Sequence, residues 1–362
     1  MRKNLKVSII DLVSNVSEKT IFARLMYSNL AGLMPQAVAV WCEEEGHDVN
    51  YICYTGLENL TKEITPECDI LIISAFTHSA QLAYAIANLF KSRGTVTVLG
   101  GPHARSYPQD SLNYFDYVLG FTDKSIIKRV LEERYPRKNR GIYLSANGQL
   151  TEIPTTRQRW KYIDAALKKA PWIKIVPMLG SFGCPYNCPF CIDSTVPYKQ
   201  VDLDQVGDSL KFLLTKFKRP IVAWHDPNFG INFNEFMNTI EKSIPRNSID
   251  FIAETSLSIL SESRVKRLKE NGFKALLPGI ESWYDMGNKS KTGKKVGMEK
   301  VRQVSDKINM IMDDIPYLQA NFVLGLDSDS GGEPFELTKK FIDLAPGAFP
   351  GYSIISAFGQ AA

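Results

Sequence analysis

Apolar and polar positions in the first third of the chain alternate between short, almost continuous apolar runs and longer amphipathic ones. Strand signals fall at Val7 to Val13, Val49 to Tyr54, Ile70 to Phe76, Thr95 to Leu99 and Tyr117 to Leu119, with helix signals at Pro35 to Glu45 and Gln81 to Ser92. Runs such as DILIISAF and TVTVLG suit strands of a parallel sheet covered on both faces. The pattern predicts a doubly wound, Rossmann-like α/β domain over residues 1–131, and ligands in such sheets sit at the carboxyl ends of the strands.

Between Glu132 and Trp172 the chain turns polar, with ERYPRKNR followed by GIYLSANGQLTEIP. Asn147-Gly148 between two short alternating runs signals a hairpin turn, so residues 132–171 read as a linker carrying a hairpin. From Trp172 a second series begins, with strand signals at Ile173 to Met178, Ile221 to Trp224, Ile249 to Ala253, Ala275 to Pro278, Leu318 to Leu324 and Tyr352 to Ser356. Helical periodicity fills the intervals: after Asp202, a candidate N-cap, Leu203, Val206, Leu210, Leu213 and Phe217 share one face. Residues 172–362 therefore predict a partial (β/α)6 barrel whose chemistry lies in the loops after its strands. The chain ends just after the sixth strand signal, in AFGQAA, which reads as the interior of a longer sequence and suggests a barrel truncated at its C-terminus.

Composition changes this picture little. A 44% hydrophobic and 23% charged chain of 362 residues can bury a sizeable core. The formal charge of +4 is spread without a basic stripe, and the cluster Arg134, Arg137, Lys138, Arg140 reads as solvated linker, so a nucleic-acid partner is not expected. Asp11 interrupts the apolar run of MRKNLKVSIIDLV, which reads as a first strand rather than a signal peptide. No apolar stretch has the length of a membrane span, and a cytoplasmic location is expected.

Cysteine spacing changes the picture more. Three of the six cysteines stand in GCPYNCPFC, a C-x3-C-x2-C spacing formed by Cys184, Cys188 and Cys191 just after the first barrel strand. Thiolates are the usual ligands of iron-sulfur clusters, and three from one loop can hold three irons of a cubane while the fourth stays open to a reactant. A zinc knuckle or an electron-transfer ferredoxin wants a fourth protein ligand. Cys42, Cys53 and Cys68 lie in the first domain, where their positions in a helix, in a strand and before a strand should keep them apart, and His225 is the one histidine of the barrel.

This motif, opening a (β/α) barrel, resembles the radical S-adenosylmethionine (SAM) superfamily. The resemblance implies a 4Fe-4S cluster whose open iron is chelated by the methionine part of SAM, with reduction yielding a 5′-deoxyadenosyl radical. It carries Phe190 over as an adenine contact. WHDPNFGIN after the second strand is similar to the D-x-N-F stretch of cobalamin-associated and methylthiolating members, implying that Asp226 and Asn228 meet SAM's ammonium. AETS places Glu254 and Ser256 at the same mouth, and PGIES resembles the family's G-I-E-S, assigning Glu281 and Ser282 to SAM's ribose or carboxylate. FVLGLDSDSGGE looks like the G-x-P-G-E-T loop with extra residues before Glu333, for which helix N-terminal capping is the expectation.

In the first domain, GGPHARSYPQD and YFDYVLGF are similar to the cobalamin-binding-like domain that precedes many such barrels. The resemblance implies that a corrin lies over the strand ends, against Ser74, Thr77, Gly100, Gly101, Pro102 and His103. There is no D-x-H-x-x-G signature, and GFTDK stands in place of G-E-G-E, so His78 and His103 read as polar loop residues. A Rossmann-like domain without cofactor is the other reading. The implied function is a cobalamin-dependent radical SAM methyltransferase acting on an unactivated carbon of a small-molecule or natural-product substrate, reduced by flavodoxin or ferredoxin. A cobalamin-independent rearrangement, cyclisation or thiolation enzyme and a non-catalytic iron-sulfur or zinc module are the alternatives. No catalytic side chain is assigned.

Overall fold

The computed structural model describes residues 4–13, 31–56, 58–136, 139–146, 152–170, 172–186, 188–194, 196–284 and 295–355. The chain divides into two compact units between Pro177 and Met178. Among the described residues no helix is long and apolar enough to cross a membrane.

The first unit is built on six strands, β1 (Lys6–Leu12), β2 (Asp48–Tyr54), β3 (Ile70–Ser74), β4 (Val96–Gly100), β5 (Tyr117–Leu119) and β6 (Ile142–Leu144). They run parallel in the order β2-β1-β3-β4-β5-β6. Side chains alternate faces along a strand, and β3 is apolar on both. Ile70 and Ile72 join Val7, Ile9, Val96 and Val98 in a core with Ala37 and Trp41 of the helix Leu33–Glu44. Leu71 and Ile73 join Ile10 and Leu99 against Ala83, Ala87 and Phe90 of the helix Ala80–Lys91. Two helical layers thus account for the continuous apolar runs.

The segment expected to be a linker folds into this unit. Ile142–Leu144 pairs in register with Tyr117–Leu119 as the sixth strand, and a Cβ at Gly141 would stand 2.1 Å from the Phe115 carbonyl oxygen. The helix Trp160–Lys169 follows, and Arg159 at its entry is buried, donating to the Pro154 carbonyl at 3.0 Å and to Gln36 Oε1 at 2.8 Å. Lys169 Nζ donates to the Cys53 carbonyl at 2.8 Å. The polar composition marks an edge strand and a surface helix instead of a free connector. The Asn147-Gly148 turn lies outside the described residues.

The second unit carries β7 (Ile175–Met178), β8 (Ser181–Phe182), β9 (Lys199–Gln200), β10 (Ile221–Trp224), β11 (Asp250–Ser256), β12 (Phe273–Glu281), β13 (Tyr317–Leu324) and β14 (Phe349–Ile354). Six of them form one sheet in the order β7-β10-β11-β12-β13-β14, with β10 to β14 parallel. The helices Leu203–Lys216, Phe233–Ser243, Glu262–Glu270, Gly297–Met312 and Glu333–Leu344 separate the strands from β9 to β14. Asp202 caps the first of these, accepting from Asp204 N at 2.9 Å and Gln205 N at 3.5 Å, as its sequence predicts. Trp224, Phe251 and Phe273 stack in sequence across β10, β11 and β12 with centroids 5.8 and 4.9 Å apart. The sheet is the six-stranded partial barrel that the sequence predicts.

Candidate functional site

The cysteine loop leaves the sheet after β7 and returns through β9. Its base is the two-residue antiparallel ribbon β8–β9, pairing Ser181 with Gln200 and Phe182 with Lys199. Gly183 turns the chain into the loop at φ +63°, where a Cβ would meet the carbonyl oxygens of Pro197 at 2.3 Å and Val196 at 2.4 Å. Only glycine fits so close to another stretch of backbone at that angle. Cys184 N then donates to the Val196 carbonyl at 3.2 Å, and Cys191 N to the Cys188 carbonyl at 3.0 Å. Cys188 is buried at 9% exposure, while Cys184 and Cys191 are half-buried. Phe190 is half-buried in the same loop.

Asp226, two residues past β10, is 3% exposed, and both of its oxygens are engaged: Oδ2 accepts from Gly180 N at 2.9 Å and Oδ1 from Ser181 Oγ at 2.5 Å. Burial pushes its carboxyl up to about 6, against the pull of these donors. The structure thus uses Asp226 to brace the start of the cysteine loop, where the sequence pattern had it meeting an ammonium group. Asn228 is 1% exposed, with Nδ2 donating to Ser256 Oγ at 3.4 Å and reaching Cys184 Sγ at 3.9 Å, while its buried Oδ1 has no hydrogen-bond partner. An orphaned buried acceptor calls for a donor, and an ammonium group satisfies it.

Glu254 and Ser256 stand two apart and so share one face of β11; Glu254 is exposed and Ser256 is buried. Ser256 Oγ lies 2.9 Å from Ser258 Oγ, which lies 2.7 Å from the Tyr186 hydroxyl. At the end of β12, buried Glu281 sits at φ +65°, beside a register shift between Gly279 and Glu281 in the pairing with β13. A non-glycine residue in that region stores strain of about 1–3 kcal/mol, and such residues cluster at ligand sites. Ser282 Oγ accepts from Tyr284 N at 3.1 Å. Lys300, 2% exposed, donates to the carbonyls of Ser282 at 2.6 Å and Tyr284 at 3.0 Å. Glu333 stands in the first turn of its helix but does not cap it, since Gly332 is the N-cap and no side chain caps there; its carboxylate instead accepts from the Tyr284 hydroxyl at 2.7 Å, raising that phenol to about 12.

The structure therefore brings Cys184, Asn228 and Ser256 together, and turns the Asp226 carboxylate and the Ser282 hydroxyl to local bracing. Sequence reasoning missed Ser181, Tyr186, Ser258 and Lys300. Ser258 continues the two-residue spacing of Glu254 and Ser256, which was a usable signal, whereas Tyr186 reads as a spacer between cysteines.

Among the described residues no three His, Cys, Asp or Glu side chains converge on one metal position. A cubane asks less of its ligands, since each of three thiolates meets its own iron. Three thiols on one loop, with a buried unpaired acceptor beside the first, fit such a cluster and a bound aminocarboxylate. Cys42, Cys53 and Cys68 are buried in three separate parts of the first unit's core, and burial pushes the Cys42 thiol up to about 12.

In the first unit, β3 runs into the loop Ser74 to Ser79, and β4 ends in the expected glycine pair Gly100 and Gly101. Gly101 holds φ +89°, and a Cβ there would stand 3.0 Å from Ala75 N, Ala75 O and Ser74 Oγ; one at Gly100 would stand in open space. Bare backbone facing open space at Gly100, the carboxyl end of β4, leaves room for a ligand to approach closely. Ser74 and Pro102 are half-buried there and Thr77 is exposed. His103 is turned inward: it is buried, with Nε2 at 2.7 Å from the Tyr84 hydroxyl and Nδ1 at 3.3 Å from Thr77 Oγ1, and burial lowers its pKa. Tyr84 in turn donates to Asp110 Oδ2 at 2.6 Å. His103 braces these loops from within, instead of presenting its ring to a ligand.

Residues 178–326 of the chain match the family model described as the radical SAM superfamily. Among curated proteins it is similar to bacteriochlorophyllide d C-12(1)-methyltransferase of Chlorobaculum tepidum, 22% identical over 319 residues covering 85% of this chain and 68% of the relative. The C-8(2)-methyltransferase of the same organism is 25% identical over 226 residues, covering 59% of this chain and 50% of that protein. Among solved structures the fold is similar to the radical SAM methyltransferase TsrM from Kitasatospora setae with cobalamin and a 4Fe-4S cluster bound. That likeness has a TM-score of 0.69 at 12% identity and covers 97% of this chain and 75% of that one. The cobalamin-dependent radical enzyme OxsB gives a TM-score of 0.64 at 14% identity, covering 97% and 54%.

Proposed function

We propose that the chain is a cobalamin-dependent radical SAM methyltransferase acting on an unactivated carbon of a small molecule. One observation carries this reading: a three-cysteine loop at the mouth of a partial barrel occurs in one chain with a doubly wound unit whose β4 ends in bare glycine backbone. The methyltransferase names of the two relatives support it.

In this reading Cys184, Cys188 and Cys191 hold the cluster, which when reduced by flavodoxin or ferredoxin supplies the electron that cleaves SAM. Asn228 Oδ1 accepts from the SAM ammonium, and Glu254, Ser256 and Glu281 line the same mouth. Asp226 fixes the loop by holding Gly180 and Ser181. The backbone at Gly100 and Gly101 lies against the corrin.

Anaerobic reconstitution of the full chain with iron and sulfide tests this. The expected result is a brown protein that retains cobalamin and, once reduced, cleaves SAM. Iron uptake without SAM cleavage would overturn the proposal. SAM cleavage without corrin absorbance after growth with cobalamin would point instead to the cobalamin-independent reading, and zinc without sulfide to a metal-binding module.

A further inference from the structure

The described part of the cysteine loop is fixed at its base by a ribbon of two residues per strand, which is little to hold three thiolates in one arrangement. A string of polar groups adds a second attachment. From Cys184 Sγ it passes to Asn228 Nδ2 at 3.9 Å, to Ser256 Oγ at 3.4 Å, to Ser258 Oγ at 2.9 Å and to the Tyr186 hydroxyl at 2.7 Å. It leaves the loop at one cysteine, crosses the residues that follow β10 and β11, and returns two positions further along. Asn228 is a donor at its start, and in each hydroxyl pair that follows either oxygen can donate.

We infer that Tyr186 and Ser258 are positioning residues that latch the cysteine loop to the end of β11, so that Cys184 and Cys188, on either side of Tyr186, are held in place for the cluster. The inference rests on the proposed cluster ligands. It adds two residues that touch neither cluster nor substrate and act by fixing the loop that carries the thiolates.

The test is the rate at which a chelator strips iron from the reconstituted full chain, measured beside the Tm of the apo chain. Tyr186→Phe and Ser258→Ala should each lose iron about fivefold faster than the wild type, the change expected for one lost hydrogen bond. Both should leave the apo Tm where it was, and Ser258→Thr, which keeps the hydroxyl, should restore the slow rate. Since Ser258→Ala already removes the bond that Tyr186→Phe breaks, the double variant should lose iron no faster than Ser258→Ala alone. Wild-type rates in the single variants, additive acceleration in the double, or a fall in Tm that tracks the iron loss would each overturn the latch. A wild-type chain that takes up no iron would overturn the cluster assignment and the latch with it, whereas normal uptake with unchanged loss rates removes the latch alone.

Discussion

A methyl group at Gly183 would collide with two carbonyl oxygens on a backbone already at φ +63°, so the chain at that point has no room for any other residue. Gly183→Ala should cost about 1–3 kcal/mol in denaturant unfolding and lower the iron bound per chain severalfold, because the loop must leave its path to relieve the clash. Asp11, buried at the end of β1, is a different kind of single position: its carboxylate accepts from Gly32 N and from the Tyr51 hydroxyl, and burial raises it to about 6. A carboxyl raised in this way binds its proton more tightly folded than unfolded. Its contribution to stability is present below about pH 4 and is lost as pH rises through about 6. Tm profiles of the wild type and Asp11→Asn should therefore diverge across that window, the wild type losing more as pH rises; parallel profiles would contradict the assignment. The cysteine spacing was legible because the chemistry of three ligands is local. The bracing role of Asp226 was not, because its partner Gly180 N lies 46 positions away and only the fold brings them together.

At the scale of elements, β7 and β10 are joined beyond their ends by the Asp226 carboxylate. Asp226→Ala leaves the Gly180 N–H and the Ser181 hydroxyl buried without that acceptor, a penalty of about 2–6 kcal/mol at about 1–3 kcal/mol for each group. Urea unfolding should show a lower midpoint, and the reconstituted variant should hold less iron; an unchanged midpoint would mean that the brace is idle. Lys300→Met tests a second brace, since its ammonium holds the Ser282 and Tyr284 carbonyls together after β12. Iron content should stay at the wild-type level while SAM binding, measured calorimetrically, weakens. The main strands of the first sheet were legible because their apolar runs are nearly continuous and both faces of that sheet are covered. β6 was not: three residues at an edge, half-buried and set in polar sequence, carry too little pattern to stand out.

At the scale of the molecule, two sheets with separate cores divide the work, and the division falls at residue 177. A fragment of residues 1–177 should stay folded and take up hydroxocobalamin, shown by a shift of its absorption bands, while cleaving no SAM. Gly101→Ala in the full chain should lose that shift and keep its iron. A fragment ending at residue 131 should not fold, since it lacks both β6 and the guanidinium that meets Gln36. The six thiols also differ in chemical address. Four are sealed from solvent, Cys188 among them, and two, Cys184 and Cys191, stand half open on one loop. An alkylating dye applied to the native apo chain should therefore mark that loop and little else, giving the protein a built-in, site-selective handle for fluorescent or spin labels with no cysteine added or removed.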